Sequence, residues 1–294
     1  MQVKSSDYVV RRSYGRDIVF RVKQIFRDEN GEPAAVLKGV AIRLLADAPL
    51  GDLESLPAEE TARLIANEEK NEVEKLLAAR GARGGVWRGA AEETDFFDFP
   101  GKVLHLDGDR EYLNRCMEVY ERFKIPHEGL AVPERDQPRA VSYYLEKYRP
   151  TILVITGHDS LLKGARDYGN LDNYRSSSYF VEAVRNARQY QPDRDGLVIF
   201  AGACQSCYEE LIAAGANFAS SPRRVFIHIF DPVLIIERVA YTSIKEVLTA
   251  DEIIESTVTG SDGIGGVETR GQFRMGYPRG SGGTRPHTPS PPHS

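Results

Sequence analysis

Two side chains of this sequence have the types and positions of a nucleophile and its base. Cys204 follows the apolar run 197–201, and His158 follows the apolar run 152–155. A free thiol has a pKa near roughly 8.5 and is therefore mostly protonated at neutral pH. An adjacent imidazole can accept that proton or stabilise the thiolate. The pair is therefore suited to acyl transfer through a thioester, with Cys204 as the nucleophile and His158 as the base.

The sequence around the two residues predicts that they lie close together. Each apolar run is short and rich in β-branched residues, as in strands buried on both faces of a parallel sheet. The chain between them has room for one loop, one helix and one strand, which makes a single βαβ unit. The strands of such a unit are often neighbours, roughly 4.8 Å apart, and open α/β sheets place their sites at the carboxyl ends of the strands. A helix that begins near Tyr208 would also direct the positive end of its dipole at Cys204.

Further groups near the two loops could complete a catalytic site. Backbone N–H groups at Gly157, Asp159 and Cys204 could bind a developing oxyanion. Asp107 and Asp109 follow an earlier apolar strand and fall on the same predicted edge of the sheet. An acidic side chain there could receive an arginine or lysine of a substrate. Asp159 is a third carboxylate available for such a pocket.

Other roles for the cysteines and the histidine stay open at this point. A cysteine or histidine after a strand is commonly a packed core residue. Cys204 and Cys207 have the Cys-x-x-Cys spacing of a redox pair. Zinc needs about four ligands, and the sequence offers no second Cys-x-x-Cys and no matching pair of histidines. Cys116 falls on the apolar face of a predicted helix and is expected to be inert. We expect no metal and no cofactor.

The chain divides into four predicted regions. Residues 1–50 contain short strands between turn signals, which predicts a small β-barrel-like module of the SH3 type. Residues 51–98 combine a predicted helix from Leu53 to Leu77 with a flexible linker. Residues 99–278 alternate strands and helices, which predicts an α/β peptidase domain with a doubly wound, mostly parallel sheet and helices on both faces. Residues 279–294 are rich in Gly, Pro, Ser and His and are predicted to be a disordered tail.

Two segments of the α/β region carry expectations of their own. The polar loop 160–176 is long for a compact domain, and loops of this length are often functional. We expect it to cover the site. Residues 225–230 are apolar and predict a later strand of the sheet.

Composition narrows the classes of function. The net charge of −5 argues against general nucleic-acid binding, which usually requires a strongly basic domain. No apolar run approaches the ~20 residues needed to span a bilayer, and the first residues lack the apolar core of a secretory signal. We therefore expect a cytoplasmic protein without a membrane partner. Three cysteines are too few for a disulfide framework.

Several long motifs of the sequence match those of one known family. They are residues 99–109 (FPGKVLHLDGD), 148–150 (YRP), 155–159 (ITGHD), 200–206 (FAGACQS), 214–222 (AGANFASSP) and 265–271 (GGVETRG), with the Ser13–Tyr14 turn and the Arg43–Leu44 region. By these motifs the sequence closely resembles the YabG family of sporulation-specific proteases. The resemblance runs from about residue 1 to residue 278 and is densest after residue 99. Motifs of this length are far more specific than an isolated Gly-His or Cys-x-x-Cys.

The resemblance implies a cysteine protease of endospore-forming bacteria that is made in the mother cell. It also implies cleavage near arginine, self-processing, and spore coat and cortex-associated proteins as substrates. By position, Cys204 would be the nucleophile of the family and His158 its partner. At the level of the fold, the arrangement is similar to the caspase–clostripain group. That group usually has His-Gly, whereas here Gly157 precedes the histidine and Asp159 follows it.

We therefore predict a sporulation-specific cysteine endopeptidase that cleaves after arginine through a Cys204–His158 dyad and a thioester. One alternative is a non-catalytic scaffold for spore-coat assembly. Another is a thiol–disulfide oxidoreductase that uses Cys204 and Cys207. The expected partners are the protein substrates and the chain itself, in the cytoplasm of the mother cell or at the forming spore coat, with no nucleic acid.

Overall fold

The first part of the computed structural model is a five-stranded antiparallel sheet. The structure describes residues 3–57 and 97–277, together with residues 59, 61, 63 and 74. The strands of this sheet are Tyr8–Arg11 (β1), Phe20–Arg27 (β2), Pro33–Gly39 (β3), Leu45–Pro49 (β4) and Leu53–Ser55 (β5), in the order β4-β3-β2-β1-β5. Short 3-10 helices lie at Arg12–Tyr14 and Leu50–Asp52. Alternate side chains such as Val9, Val22 and Leu37 form an apolar core that belongs to this sheet.

The second part is built on a six-stranded, mostly parallel sheet. Residues 97–277 contain ten strands, six of which form this sheet. In chain order the ten are Phe97–Phe99 (β6), Val103–Asp107 (β7), His127–Ala131 (β8), Ile152–Thr156 (β9), Val198–Ala201 (β10), Phe218–Ser220 (β11), Val247–Leu248 (β12), Ile264–Gly266 (β13), Thr269–Arg270 (β14) and Arg274–Gly276 (β15). The large sheet has the order β13-β11-β10-β9-β7-β8, and β13 runs antiparallel to β11. Two small antiparallel pairs, β12 with β14 and β6 with β15, lie outside it.

Helices connect and flank these strands. They are Arg110–Arg122 (α1), Gln137–Tyr148 (α2), Ser177–Tyr190 (α3), Tyr208–Ala214 (α4), Asp231–Tyr241 (α5), Ala250–Ile254 (α6) and Gly260–Gly263 (α7), with 3-10 helices at Glu134–Asp136 and Leu171–Asn173. Because successive strand residues point to opposite faces, Val154 and Phe200 pack in one apolar cluster with α1 and α5. Leu153 and Ile199 pack in a second cluster with α2, α3 and α4. Among the described residues, no helix is long and apolar enough to cross a membrane.

The expected mixed α/β class and the mostly parallel sheet are confirmed. The doubly wound arrangement, the barrel-like form of the first module and the four domain boundaries stay predictions. The first sheet continues to Ser55, five residues beyond the predicted end of that module. The linker, the tail at 279–294 and most of the expected helix up to Leu77 lie outside the described residues.

Two local predictions are wrong. Leu53–Ser55 pairs with β1 as a strand instead of beginning a helix, because pairing across the sheet and the burial of Leu53 outweigh the helical pattern. Residues 225–230 do not join the parallel sheet, because β13 already occupies the side of β11 that faces away from β10. His228 instead makes an isolated antiparallel bridge with Ile42 of the first part.

Candidate active site

The structure places His158 and Cys204 at the same edge of the parallel sheet. β9 and β10 are hydrogen-bonded neighbours, with Ile155 opposite Ala201, and each of the two residues lies three positions beyond its paired residue. Cys204 belongs to the apolar cluster on the side of α1 and α5. The His158 ring lies 5.5 Å, between ring centroids, from Tyr112 of the same cluster. The two side chains therefore share one face, although the described residues show no hydrogen bond between them.

The imidazole of His158 is held by the Asp109 carboxylate. Its Nε2 lies 2.9 Å from Oδ2 of Asp109. Burial opposes ionisation of Asp109, but hydrogen bonds from His158 and Lys38 keep the pKa of this carboxyl well below its usual range. An ionised carboxylate only accepts, so Nε2 carries a proton and a neutral ring has its lone pair on Nδ1. Nδ1 is buried and has no hydrogen-bond partner among the described residues. The ring thus keeps free the nitrogen that a base would use.

The backbone of His158 is fixed by Glu134, a residue that sequence reasoning missed. Oε1 of Glu134 accepts the His158 N–H at 2.7 Å. The carboxylate packs against Gly108 and Gly157, where an added Cβ would come within 2.2 Å and 2.4 Å of the same oxygen. Glycine at these two positions therefore lets one carboxylate bridge the loops that leave β7 and β9.

The Cys204 thiol is buried in a turn that begins at Gly202. Gly202 has φ +108°, a conformation that favours glycine. The backbone N–H of Ile227 donates to Sγ of Cys204 at 3.2 Å. Burial raises the pKa of the thiol to about 12, and the Ile227 bond and the charge of Arg43 oppose that rise. The thiol is therefore protonated at neutral pH while it stays buried.

Asp107 does not face solvent but forms a buried ion pair with Arg43. Nη1 of Arg43 lies 2.7 Å from Oδ2 of Asp107, and neither side chain has exposed surface. Asp107 also accepts from Thr156 Oγ1 and from the Asp109 N–H, each at 2.8 Å. Burial favours the neutral acid, but the charge of Arg43, the neighbouring His105 and the hydrogen bond from the Asp109 N–H hold the pKa of Asp107 well below its usual range. The carboxylate expected to receive a substrate's basic residue is thus occupied by an arginine of the same chain.

Asp109 also binds a cation of the first part. Nζ of Lys38 lies 2.7 Å from Oδ1 of Asp109 and 2.9 Å from Oε2 of Glu111. Asp109 further accepts from the N–H groups of Glu111 and Tyr112, which begin α1. A surface pocket of about 410 Å³ lies beside it, lined by Lys23, Lys38, Gly108, Asp109, Arg110, Glu111 and Asn114. Asp109 therefore lies beside both His158 and this pocket.

Asp159 lies on the other side of the His158 loop and is committed to local donors. Its carboxylate accepts from Ser160 N, Ser176 N, Ser177 Oγ and Ser206 Oγ. Burial raises the pKa of this carboxyl, and the four hydrogen bonds only partly oppose the rise. These contacts tie the Cys204 turn, through Ser206, to the start of α3. A role of Asp159 in a basic-residue pocket stays a prediction, and every oxygen of its carboxylate already has a donor.

Cys207 immediately precedes α4, and its thiol faces the loop 160–176. Its Sγ donates to the carbonyl of Tyr168 at 3.4 Å, and its N–H donates to Ser177 Oγ at 2.8 Å. Cys116, Cys204 and Cys207 are all free thiols. Within the described residues, no group of three or more His, Cys, Asp or Glu side chains is arranged to hold a metal ion.

The predicted oxyanion donors lie on the loops that leave the sheet edge, and their role stays a prediction. Sequence reasoning did not assign roles to five residues that the structure brings to the site, Lys38, Arg43, Tyr112, Glu134 and Ile227. Of these five, only Arg43 could have been singled out from the sequence, because it lies in a region of family resemblance. The others contact the site through tertiary packing that no local pattern encodes.

Comparison with known proteins gives one consistent answer. The family model of the YabG peptidase U57 matches residues 4–278. The sporulation-specific protease YabG of Bacillus subtilis (strain 168) is 41% identical over 287 residues, which cover 95% of this chain and 99% of that protein.

Proposed function

The chain belongs to the YabG peptidase U57 family, and on this premise we propose that it is a cysteine endopeptidase of sporulation. Cys204 is the nucleophile, and His158 is the base and then the acid. Its substrates are spore coat and cortex-associated proteins, which it cleaves after arginine. It acts in the cytoplasm of the mother cell or at the forming spore coat. The name of the relative supports the protease activity and the stage of the life cycle.

One observation carries the assignment of the dyad. His158 and Cys204 leave neighbouring parallel strands at the same level and on the same face of the sheet. Nε2 of His158 is held by Asp109, while Nδ1 is buried without a partner. Nucleophilic catalysis requires an imidazole nitrogen that is free to take the thiol proton, and Nδ1 of His158 is such a nitrogen on the face that holds Cys204.

The proposed reaction proceeds in two acyl-transfer steps. Nδ1 of His158 takes the thiol proton, and Sγ of Cys204 attacks the carbonyl carbon of the scissile bond. The C–N bond then breaks, and the protonated imidazole gives its proton to the leaving amine. Water attacks the thioester in the second step and releases the acid and the free thiol. The N–H groups of Gly157, Asp159 and Cys204 are the proposed donors to the oxyanion.

Asp109 and the N–H of Ile227 support these steps through their contacts with the imidazole and the thiol. Asp109 is a positioning residue, because it fixes the tautomer of His158 and favours the imidazolium that forms. The N–H of Ile227 stabilises the thiolate, because a hydrogen bond to sulfur favours the charged form. Asp107 is the proposed carboxylate for the arginine of the substrate, because it is buried and already binds a guanidinium.

The test compares wild type with Cys204→Ala, His158→Ala and Cys207→Ala on an arginine-containing coat protein. Cys204→Ala is expected to lose all cleavage, and His158→Ala to lose about 10³-fold or more in kcat/KM. Cys207→Ala is the matched cysteine control and should stay within a few-fold of wild type. His127→Ala, at a half-buried histidine on β8, is the histidine control. Cleavage by Cys204→Ala would remove the proposed nucleophile.

The same variants decide between this proposal and its alternatives. A thiol–disulfide enzyme would lose reductase activity equally in Cys204→Ala and Cys207→Ala. A scaffold would bind coat proteins and leave them whole in wild type and in every variant. Either outcome would contradict the proposed peptidase mechanism.

A further inference from the structure

The loop between β3 and β4, residues 40–44, reaches from the first sheet to the edge that holds Cys204. Its backbone runs antiparallel to residues 227–229. The N–H of Arg43 donates to the carbonyl of Ile227 at 3.2 Å, and the N–H of Ile229 donates to the carbonyl of Ala41 at 2.9 Å. Ile42 forms the antiparallel bridge with His228 between these two bonds. An extended peptide that adds to an exposed backbone edge in this way is a common mode of peptide binding.

The Arg43 side chain is inserted where a specificity pocket would be. Its guanidinium is fully buried and binds the Asp107 carboxylate at 2.7 Å, and its second nitrogen lies 3.6 Å from Sγ of Cys116. The adjacent carbonyls are held as well, because the Tyr112 hydroxyl contacts the carbonyl oxygens of Gly39 and Ile42 at 2.6 Å and 3.1 Å. Arg43 is thus a buried side chain of the loop 40–44 that is anchored at the edge of the parallel sheet.

The same strand of backbone connects Arg43 to the thiol. Ile227 accepts the Arg43 N–H through its carbonyl and donates its own N–H to Sγ of Cys204. Ile227 therefore contacts both the thiol of Cys204 and the backbone of Arg43. The chain then turns sharply, with the Leu44 N–H donating to the Ile42 carbonyl at 2.8 Å.

We propose that residues 41–43 occupy the substrate cleft of their own chain, and that the Arg43–Leu44 peptide bond is its self-cleavage site. Asp107 is the acidic end of the pocket, and residues 227–229 are the strand on which substrate backbones are held. This inference rests on the proposed function, because it uses the Cys204–His158 dyad.

The step follows the chemistry proposed for other substrates. Sγ of Cys204 forms a thioester with the Arg43 carbonyl carbon, the Arg43–Leu44 C–N bond breaks, and the thiol proton passes through His158 to the new Leu44 amine. Water then releases the Arg43 carboxylate and restores the thiol. The cut falls in a hairpin loop whose strands β3 and β4 stay paired from Ala34 with Pro49 to Lys38 with Leu45. The two pieces should therefore stay associated after cleavage.

The test measures the intact mass of the full-length chain after incubation at neutral pH. Under denaturing conditions, wild type should separate into residues 1–43 and 44–294, while its mass under native conditions should stay that of the whole chain plus one water. Cys204→Ala should remain one piece. Arg43→Gln should also remain one piece and still cleave an arginine peptide added in trans. Arg16→Gln, at an exposed arginine of the same sheet, is the matched control and should be cut like wild type.

Each result separates the inference from the function on which it rests. If wild type cleaves the added peptide but stays whole, or is cut elsewhere, the inference is wrong and the proposed function stands. If wild type cleaves neither itself nor the peptide, the proposed function fails first. Arg43→Lys keeps the charge and should be cut more slowly at the same bond, which guards against a folding defect in Arg43→Gln. Cutting of Arg43→Gln after residue 43 would also overturn the inference.

Discussion

Two buried carboxylates at the same sheet edge, Asp107 and Asp159, have opposite electrostatic environments. Asp107 ends β7 and binds the Arg43 cation, which comes from the other sheet. Asp159 follows β9 and accepts only from neutral serine groups of neighbouring loops. The pKa of Asp107 is held below its usual range by Arg43 against the effect of burial, whereas burial raises the pKa of Asp159. Burial alone therefore does not decide the state of a carboxyl here.

The difference indicates which of the two sites can exchange its partner. The cation at Asp107 belongs to the loop 40–44, and a substrate arginine could take its place with the same charge-assisted contact between guanidinium and carboxylate. The donors at Asp159 belong to the Cys204 turn, to α3 and to the loop that contains His158. Their loss would disturb the catalytic backbone itself. We infer that Asp107 selects substrates and that Asp159 holds the site in shape.

The sharpest test of this contrast is Asp107→Asn combined with Arg43→Gln. The double variant avoids a buried unpaired guanidinium, which would otherwise cost about 3–5 kcal/mol of stability. We expect kcat/KM for an arginine peptide to fall about 10³-fold or more relative to Arg43→Gln alone, because the pocket loses its charge. Hydrolysis of a matched glutamine peptide should change much less. An unchanged preference for arginine would remove Asp107 from the specificity pocket.

Asp159→Asn should act mainly on stability. An amide cannot accept from all four donors, and each buried donor left unsatisfied costs about 1–3 kcal/mol. We expect the free energy of unfolding to fall by about 3 kcal/mol, measured by urea denaturation. Asp251→Asn, at an exposed residue in the first turn of α6, is the matched control and should have little effect. A selective loss of arginine cleavage in Asp159→Asn without loss of stability would reverse the roles assigned to the two carboxylates.

Much of this contrast lies beyond sequence reasoning. The edge shared by His158 and Cys204 was predictable, because two short apolar runs separated by a helix specify neighbouring parallel strands. The same pattern predicted that Asp107 and Asp109 lie nearby. Their partners were not predictable, because Arg43 and Lys38 reach them through the docking of two sheets that are distant in sequence.

The error at residues 225–230 has the same origin. An apolar run predicts burial, but it does not say whether a sheet strand or a neighbouring loop provides that burial. Here Ile227 and His228 pair with the loop 40–44 instead of the sheet. The segment that looked like a further strand is therefore the one on which the inferred cleft depends.

The two carboxylates should also respond to pH in opposite directions. A carboxyl whose pKa is lowered in the folded state contributes stability above its unfolded pKa of about 3.9, and loses it as the pH falls towards the folded value. The stability difference between wild type and Asp107→Asn, both with Arg43 in place, reports Asp107 and should shrink as the pH falls below about 4. Asp159 has a raised pKa, so wild type should gain stability relative to Asp159→Asn as the pH falls. Thermal unfolding from pH 7 to pH 3 measures both trends, and parallel curves would contradict the contrast.

The smallest predicted effect concerns how firmly the loop 40–44 covers the thiol of Cys204. Tyr112→Phe removes the hydroxyl that contacts the carbonyls of Gly39 and Ile42 but keeps the ring beside His158. Losing such a contact costs about 1 kcal/mol, which should raise the population of the open loop about fivefold. In an Arg43→Gln background, where self-cleavage is blocked, alkylation of Cys204 by iodoacetamide should accelerate by that factor.

Peptide mapping separates this effect from general loosening. Cys207 is buried under the loop 160–176 and should react at its original rate. Tyr120→Phe, at a buried tyrosine of the same helix, should leave Cys204 unchanged. If Cys204 reacts equally fast with and without the Tyr112 hydroxyl, the loop 40–44 is not what limits access to the thiol. The thiol's burial would then come from packing around the six-stranded sheet alone, and the loop would only anchor the first sheet through Arg43.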